Sequence, residues 1–241
     1  MLEIIAFNIA SCNAAQSAGA DRIELCADPA AGGTTASAGF IQTARKILHI
    51  PLFAMIRTRG GDFLYSDSDF EIMKSDVLTC KKLGCDGVVI GMLDATGNID
   101  VTRVGQLVAL AYPMEVTFHR AFDRANTLLA ALDDVIKTGC TCLLTSGQQK
   151  TAEAGAQQLA ALEVHNVSRI NIMAGSGVRA ANITDIANKT NLRFFHSSAQ
   201  MHTASAMQFS NPAMKETFTE LTVDADEIKY MKMQLAKRNL N

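Results

Sequence analysis

The turn Ala18-Gly19-Ala20-Asp21 leads directly into the apolar run Arg22–Cys26, and turns of this kind recur along the chain. A glycine just after a helix favours the left-handed conformation that ends it, and an apolar run of this length is typical of a buried strand. The same turn recurs at Leu83-Gly84-Cys85-Asp86 and at Thr138-Gly139-Cys140. Helices and strands therefore alternate along the chain.

Eight apolar or β-branched runs follow this pattern, and their spacing is that of successive β/α units. They are Glu3–Phe7, Arg22–Cys26, Leu52–Arg57, Gly87–Gly91, Glu115–His119, Cys142–Thr145, Arg169–Met173 and Arg193–His196. Eight units predict an α/β protein with a closed (β/α)8 TIM-type barrel over residues 1–200. The alternative is an open, doubly wound sheet.

The pattern breaks after Ser198, where a polar stretch contains Asn211-Pro212. Asp224 and Glu227 then fit a capping box, and Ile228, Met231 and Leu235 follow at helical spacing. We therefore expect residues 201–241 to form a C-terminal extension, a segment and a helix packed on the same domain. A connection this long is often functional or lies in an interface.

Composition limits the possible functions. The chain has 241 residues, 48% hydrophobic and 19% charged, so one large folded domain is expected. Its net charge of -2 argues against a nucleic-acid partner. No apolar run approaches the roughly 20 residues that span a bilayer, and the start lacks the basic region of a signal peptide. We expect a cytoplasmic protein without a membrane partner.

Ionisable side chains lie near the ends of four predicted strands: Glu24, Arg57, His119 and His196. The carboxyl ends of barrel strands form one mouth, so these groups should converge there as catalytic residues. Glu24 and His119 could move protons, and Arg57 could hold a carboxylate or phosphate. The alternative is a structural Glu24–Arg57 ion pair with two hydrogen-bonded core histidines.

Further residues near the same mouth are candidates for binding an anion. In the loop after the third strand, Arg59 could clamp an anion with Asp62 fixing it, or the two could simply satisfy each other. Arg120 directly follows His119. The turns after the seventh and eighth strands contain Gly175, Gly177, Ser197 and Ser198, where many barrels bind phosphate.

Six cysteines are present, and reduced thiols are expected because the chain lacks secretory features. None forms the C-x-x-C spacing of a zinc site. A soft metal such as Cu(I) would prefer thiolate and thioether ligands. The candidate ligands are Cys26, at the end of the second strand, and Cys12. The pair Met201-His202 could also supply ligands. The alternative is that these side chains only pack in the core.

The chain resembles the CutC copper-homeostasis family over nearly its whole length. The resemblance is carried by Gly19–Cys26, Gly32–Thr35, Met55–Arg57, Arg59–Phe63, Val116–Asp123, Leu144–Gln148 and His196–Ala199. It departs from the family's usual pattern at Thr58, Ala36, Ala38, Ala174 and Ser176. The resemblance implies a TIM-type barrel, a cytoplasmic homodimer or homotetramer, and copper handling with Cys26 as the first Cu(I) ligand.

Two hypotheses follow, since the polar mouth suits a small anionic metabolite better than a soft cation. In the first, a copper-homeostasis protein binds Cu(I) through Cys26 and a second soft donor, Cys12 or a residue of a neighbouring subunit. In the second, a barrel enzyme performs acid–base chemistry on a small phosphorylated or carboxylated metabolite. A scaffold that acts only through contacts of Gln200–Val223 is a third class.

Overall fold

The computed structural model describes residues 1–215 and 218–238 and shows a closed barrel of eight parallel strands. Each strand pairs with the next along the chain, and the eighth pairs with the first. This confirms the predicted (β/α)8 barrel. The strands are β1 (Leu2–Ala6), β2 (Arg22–Leu25), β3 (Leu52–Met55), β4 (Gly87–Ile90), β5 (Glu115–Phe118), β6 (Cys142–Thr145), β7 (Asn171–Ala174) and β8 (Phe194–Ser197).

A helix follows each of the first seven strands. The helices are α1 (Ile9–Ser17), α2 (Ala38–Ile47), α3 (Asp67–Lys82), α4 (Val101–Ala111), α5 (Leu128–Lys137), α6 (Ala156–Asn166) and α7 (Ile183–Thr190). Short 3-10 helices lie at Pro29–Ala31 and Arg120–Arg124. Within residues 1–215 and 218–238, no helix has both the length and the apolar character needed to cross a membrane.

The glycine turns have the predicted conformation. Gly19, Gly84 and Gly139 follow α1, α3 and α5 with φ of 88°, 80° and 85°. A side chain with a Cβ is strained in this left-handed region, so glycine is the residue that allows the chain to leave the helix and enter the next strand.

The seventh strand begins two residues later than predicted. Val167 and Ser168 have φ of 48° and 60°, so the chain turns there in left-handed geometry. The Asn166 side chain then accepts the backbone N–H of Ile170 at 3.0 Å, and the Arg169 Nε donates to the Asn166 carbonyl at 2.9 Å. The predicted strand Arg169–Met173 therefore starts inside a turn, and pairing begins only at Asn171.

Strand alternation separates two sets of buried residues. Ile4 and Ile23 belong to the main core, between the sheet and the helices. Their neighbours Glu3, Ile5 and Glu24 point the other way, into the barrel. Glu3 pairs in register with Arg22 on β2 and with His196 on β8, so three ionisable side chains sit side by side where the barrel closes.

The C-terminal extension contains a hairpin that was not predicted. The strands β9 (Gln200–Ala204) and β10 (Thr219–Val223) pair antiparallel, and β9 is exposed along its whole length. A strand without a buried face has no apolar alternation, so the polar stretch indicated only a long connection. The Asn8 side chain anchors the hairpin by donating to the Leu221 carbonyl at 2.6 Å.

The last helix, α8 (Ala225–Arg238), packs on α7 and α1. Ile228 and Met231 are buried, as their spacing predicted. Asp224 accepts the N–H of Glu227 at 3.1 Å, which is one half of the predicted capping box. The other half does not form, because the Glu227 carboxylate accepts the backbone N–H of Ala180 at 2.9 Å instead.

Candidate active site

A cavity of about 320 Å³ lies at the carboxyl end of the barrel strands. All four predicted catalytic side chains line it: Glu24 on β2, Arg57 after β3, His119 after β5 and His196 on β8. Apolar walls come from Ile5, Phe7, Met55, Phe63 and Leu144. A larger hollow of about 660 Å³ lies at the opposite end of the barrel. Barrel enzymes carry their chemistry at the carboxyl end, so the smaller cavity is the candidate site.

A chain of buried charges runs beneath this cavity. The Arg22 Nε donates to Glu3 Oε2 at 2.5 Å, and the His196 Nδ1 lies 2.8 Å from Glu3 Oε1. The other ring nitrogen of His196, Nε2, lies 3.8 Å from Glu24 Oε2. Glu3 thus holds His196 in position, and His196 connects Glu3 to the carboxyl group in the cavity.

Sequence reasoning missed Glu3, although a signal for it was present. The residue lies two positions before Ile5 within a strand, so it must share the inward face. A carboxylate on that face needs a buried cation, and the strands beside β1 supply Arg22 and His196.

The environment separates the pKa values of the two carboxyl groups. Burial raises the pKa of Glu24 to about 7, although the His196 charge opposes the shift. Burial would also raise the pKa of Glu3, but the charge of Arg22 and the hydrogen bond to His196 lower it. Burial alone would lower the pKa of His196, but the Glu24 and Glu3 carboxylates raise it. Glu24 is therefore the member of the group that exchanges protons near neutral pH.

His119 is held as a neutral ring. Its Nδ1 accepts the backbone N–H of Ala121 at 3.1 Å, so the hydrogen of the neutral imidazole is on Nε2. Burial, followed by the charge of Arg57, lowers the pKa of His119 to about 3. The Phe63 ring lies over it, with the ring centroids 5.1 Å apart. The Nε2 atom is buried and has no partner among the described residues.

Arg57 ties two loops together. Its Nη1 donates to the carbonyls of Ala31 at 2.7 Å and Gly33 at 2.9 Å, and its Nη2 donates to the Gly61 carbonyl at 3.0 Å. These carbonyls belong to the loops after β2 and β3. The Nε–H is buried and has no partner in residues 1–215 or 218–238. Only part of this guanidinium is therefore available to a ligand.

Arg120 lines the cavity, and hydrogen bonds to neighbouring side chains hold its guanidinium in place. Its Nε donates to Asp123 Oδ2 at 2.7 Å, and its Nη2 donates to the Ser146 hydroxyl at 3.1 Å. Asp123 is itself buried and also accepts the Thr145 hydroxyl at 2.6 Å. Its carboxylate therefore holds the Arg120 cation at the mouth.

The other predicted anion-binding residues divide into two groups. Gly177 and Ser198 line the cavity, whereas Arg59, Gly175 and Ser197 are not part of its wall. The Ser197 hydroxyl donates to the Val178 carbonyl at 2.6 Å.

Arg59 is satisfied within its own loop. It donates to Asp62 at 2.9 Å and to the Leu64 carbonyl at 2.6 Å. These contacts match the alternative in which Arg59 and Asp62 satisfy each other, and not the one in which Arg59 clamps an anion.

The two candidate copper ligands are not brought together. Cys12 packs in the main core outside the sheet, whereas Cys26 belongs to a separate small cluster inside the barrel with Met55. Burial raises the pKa of Cys12 to about 12, and burial together with the Glu24 carboxylate raises that of Cys26. Two thiols in separate clusters do not fit a Cu(I) site that needs both as ligands.

The buried chain itself contains three groups with the chemistry of metal ligands. Glu3, Glu24 and His196 each offer one atom, and these atoms lie within 4.8 Å of one another. Carboxylate and imidazole donors suit harder cations than Cu(I). Glu3 is already paired with Arg22, so this set is an ion-pair network in the described structure.

Known proteins of one family match this chain over most of its length. The sequence model of the CutC family matches residues 1–201. A CutC family protein of Chromobacterium violaceum is 51% identical over 209 residues, covering 87% of this chain and 85% of that protein. One from Photorhabdus laumondii is 44% identical, covering 98% and 97%. The crystal structure of the putative copper homeostasis protein CutC from Streptococcus agalactiae superposes with a TM-score of 0.79 and 32% identity, covering 82% of this chain and 98% of that one.

Proposed function

The chain belongs to the CutC family, and from the chemistry of its barrel mouth we propose that it is an enzyme. The proposed activity is acid–base chemistry on a small phosphorylated or carboxylated metabolite. One observation carries the proposal: Glu24 Oε1, Arg57 Nε and His119 Nε2 are buried without partners among residues 1–215 and 218–238, and all three residues line the same cavity. Buried polar atoms are nearly always hydrogen-bonded, so three together indicate a polar ligand.

Glu24 is the proposed general base and acid. Its pKa of about 7 gives comparable amounts of the two protonation states near neutral pH, which suits reversible proton transfer. The Glu24 and Glu3 carboxylates raise the pKa of His196, which favours its positively charged form. With Arg22, a protonated His196 would balance the charges of Glu3 and ionised Glu24.

The other two roles differ from those expected from the sequence. His119 was expected to move protons, but its Nδ1 is occupied and its Nε2 already carries a hydrogen. We assign it as a neutral hydrogen-bond donor. Arg57 was expected to bind the anionic group, but loop carbonyls accept three of its five N–H groups. Its Nε–H, which has no partner among the described residues, is assigned as a second donor.

The anionic group of the ligand is assigned to the rim. Arg120 supplies a cation that Asp123 holds in position, and Gly177 and Ser198 line the same cavity. A cavity near 320 Å³ is at the small end of the range for ligand sites, which favours a small metabolite.

Anion binding tests this assignment. We expect 2-phosphoglycolate to bind by isothermal titration calorimetry and to raise the melting temperature. Arg120→Gln should weaken the affinity by about tenfold or more, because a charge-assisted hydrogen bond contributes about 1.5–3 kcal/mol. Arg59→Gln is the matched control, since Arg59 is outside the cavity wall. Failure of 2-phosphoglycolate, glycolate and inorganic phosphate to bind, or equal binding by both variants, would contradict the proposal.

Copper handling in the cytoplasm is the second candidate. What supports it is family membership together with the name of the S. agalactiae protein, a putative copper homeostasis protein. The observation in its favour is that the Cys26 thiol and the Met55 thioether share one buried cluster. The predicted homodimer or homotetramer belongs to this candidate as well.

An anaerobic Cu(I) titration against a competing chelator separates the two candidates. Tight binding that is lost in Cys26→Ser and kept in the control Cys140→Ser would support copper handling. Equal behaviour of the two variants would remove Cys26 as a copper site and leave the acid–base enzyme as the proposed function.

A further inference from the structure

We propose that the substrate is a short α-hydroxycarbonyl compound with an anionic tail, and that Glu24 removes the proton from the carbon beside the carbonyl while His119 and Arg57 hold the carbonyl oxygen. This inference rests on the proposed acid–base function and names its substrate class and reaction type.

Two N–H donors of the cavity residues are unsatisfied. Arg57 Nε and His119 Nε2 both carry hydrogens, both are buried without an acceptor in the described part of the chain, and both side chains line the cavity. The oxygen that satisfies such a pair must accept hydrogen bonds. A carbonyl oxygen does this, and it accepts more strongly when it becomes an oxyanion.

His119 is fixed in one tautomer. Its Nδ1 is committed to the Ala121 N–H, so the ring has one available role, donation from Nε2. A neutral imidazole in this role polarises a carbonyl without giving up its proton. The Phe63 ring lies against both donors, with the Arg57 guanidinium carbon 5.0 Å from the ring centroid, and this apolar cover strengthens the electrostatic interaction.

Glu24 supplies the proton acceptor. Its Oε1 is the third atom of the strand-end residues of the cavity that has no partner among the described residues, and it is a carboxylate oxygen when ionised. Two donors and one acceptor in one cavity match a carbonyl oxygen and an adjacent acidic C–H bond. An alcohol without a carbonyl offers no C–H bond that a carboxylate can deprotonate.

The proposed step is balanced without any further reactant. The C–H bond breaks, and its proton moves to Glu24 Oε1. The electron pair forms a carbon–carbon double bond, and the carbonyl π pair moves onto oxygen, where the N–H groups of Arg57 and His119 stabilise the resulting enediolate. Glu24 then returns the proton either to the same carbon, which restores the substrate, or to the neighbouring carbon. In the second case the hydroxyl proton on the neighbouring carbon passes to the former carbonyl oxygen, the new carbonyl forms at the neighbouring carbon, and the outcome is an isomerisation.

Solvent exchange provides the test. The protein is incubated in D2O with short phosphorylated α-hydroxyaldehydes and α-hydroxyketones, including dihydroxyacetone phosphate, and incorporation of deuterium at carbon is followed by NMR. Glycerol 3-phosphate, which has the same anionic tail without a carbonyl, is the ligand control. We expect exchange above the buffer rate with hydroxycarbonyl compounds only.

The variants assign the roles. Glu24→Gln should abolish exchange, and His119→Phe should slow it by about 100-fold or more, the usual effect of removing one oxyanion donor. His119→Gln keeps an N–H donor and should recover part of the rate, which a purely structural role would not produce. Arg59→Gln should exchange like the wild type. Circular dichroism confirms that each variant is folded.

The outcomes separate the two proposals. Binding of the anionic probes without exchange by any hydroxycarbonyl phosphate would overturn this inference and leave the anion-binding enzyme in place. Absence of both binding and exchange would overturn both. Exchange that is unchanged in His119→Phe would also contradict the inference, because the oxyanion would then be held elsewhere.

Discussion

A buried polar atom without a partner lowers the free energy of unfolding, by roughly 1–3 kcal/mol. In the part of the chain that the structure describes, Glu24, Arg57 and His119 each carry one such atom and line the same cavity. Two neighbouring carboxylates are satisfied: Glu3 has two partners, and Asp123 accepts several donors. The contrast indicates that the unpartnered atoms are retained for a ligand and that a bound ligand should stabilise the fold.

The protonation of Glu24 gives a pH dependence with a definite sign. Its pKa of about 7 lies above the usual value of 4.5, and the groups that face it are His196, Glu3, Arg22 and Cys26. Only the ionised carboxylate accepts a proton, so the exchange rate should rise as the pH increases through about 7. Infrared difference spectra should show the protonated carboxyl band disappear over the same range. The band should be absent from Glu24→Gln, and a band that persists in that variant would assign it to another group.

Arg57 should matter for loop order as well as for chemistry. Arg57→Lys keeps the charge but cannot reach the Ala31, Gly33 and Gly61 carbonyls together, because an ammonium lacks the planar fork. We expect faster amide hydrogen exchange in both loops and a melting temperature lower by several degrees. Arg59→Lys is the control in the same loop: Arg59 is half-buried and its hydrogen bonds stay within that loop, so this variant should change the loop after β2 and the melting temperature much less. Equal amide protection in the two variants would show that the hydrogen bonds of Arg57 contribute little to the order of the two loops.

Helix ends and strand ends explain how much of the barrel could be predicted. The β6 bounds, Cys142–Thr145, were predicted without error, because a glycine turn precedes the run and the run itself is wholly apolar or β-branched. The start of β7 could not be predicted, since it depends on the bonds of the Asn166 side chain to Ile170. A side-chain bond of this kind leaves no periodic signal.

The identity of a site residue could be predicted when the strand that carries it gave the signal. Properties that depend on contacts with other parts of the chain could not be predicted. Glu24 and His196 were identified because each is an ionisable residue on an apolar strand. The donor state of His119 depends on the N–H of Ala121 and could not be read from the sequence. The limited availability of Arg57 depends on a loop that folds back onto it from another part of the chain.

The end of β4 gives a test of how a strand positions the site. A Cβ on Gly91 would lie 2.4 Å from His119 Nδ1, so Gly91→Ala must displace the imidazole. We expect a folded protein in which exchange falls about as far as in His119→Phe. Gly39→Ala is the matched control, because its Cβ would meet no atom within 4 Å in the helix α2. That control should keep full activity and gain stability of about 0.5–1 kcal/mol. An active Gly91→Ala would argue against a fixed role for His119.

At the scale of the whole molecule, the barrel closes where the first and last strands meet. Across this seam, Glu3 on β1 accepts from His196 on β8, and the Lys232 Nζ on α8 donates to Asp21 at 2.6 Å. The Asp21 carboxylate also accepts the backbone N–H of Leu2 at 2.6 Å. The helix α8 packs on α7 and α1, so it covers the same seam from outside. The C-terminal helix is therefore part of the barrel's closure.

Truncation of the buried face of α8 should consequently destabilise the entire barrel. Ile228 and Met231 are 0% exposed, whereas Met233 on the same helix is 42% exposed. Ile228→Ala and Met231→Ala should each lower the free energy of unfolding by about 2–5 kcal/mol, and Met233→Ala should change it by less than about 0.5 kcal/mol. Urea unfolding followed by fluorescence and by circular dichroism measures this, and the two signals should coincide if the helix and the barrel unfold together. An early unfolding transition confined to α8, with the barrel unaffected, would contradict this expectation. It would show that the barrel folds without α8 and that the pairing of β1 with β8 is sufficient to close it.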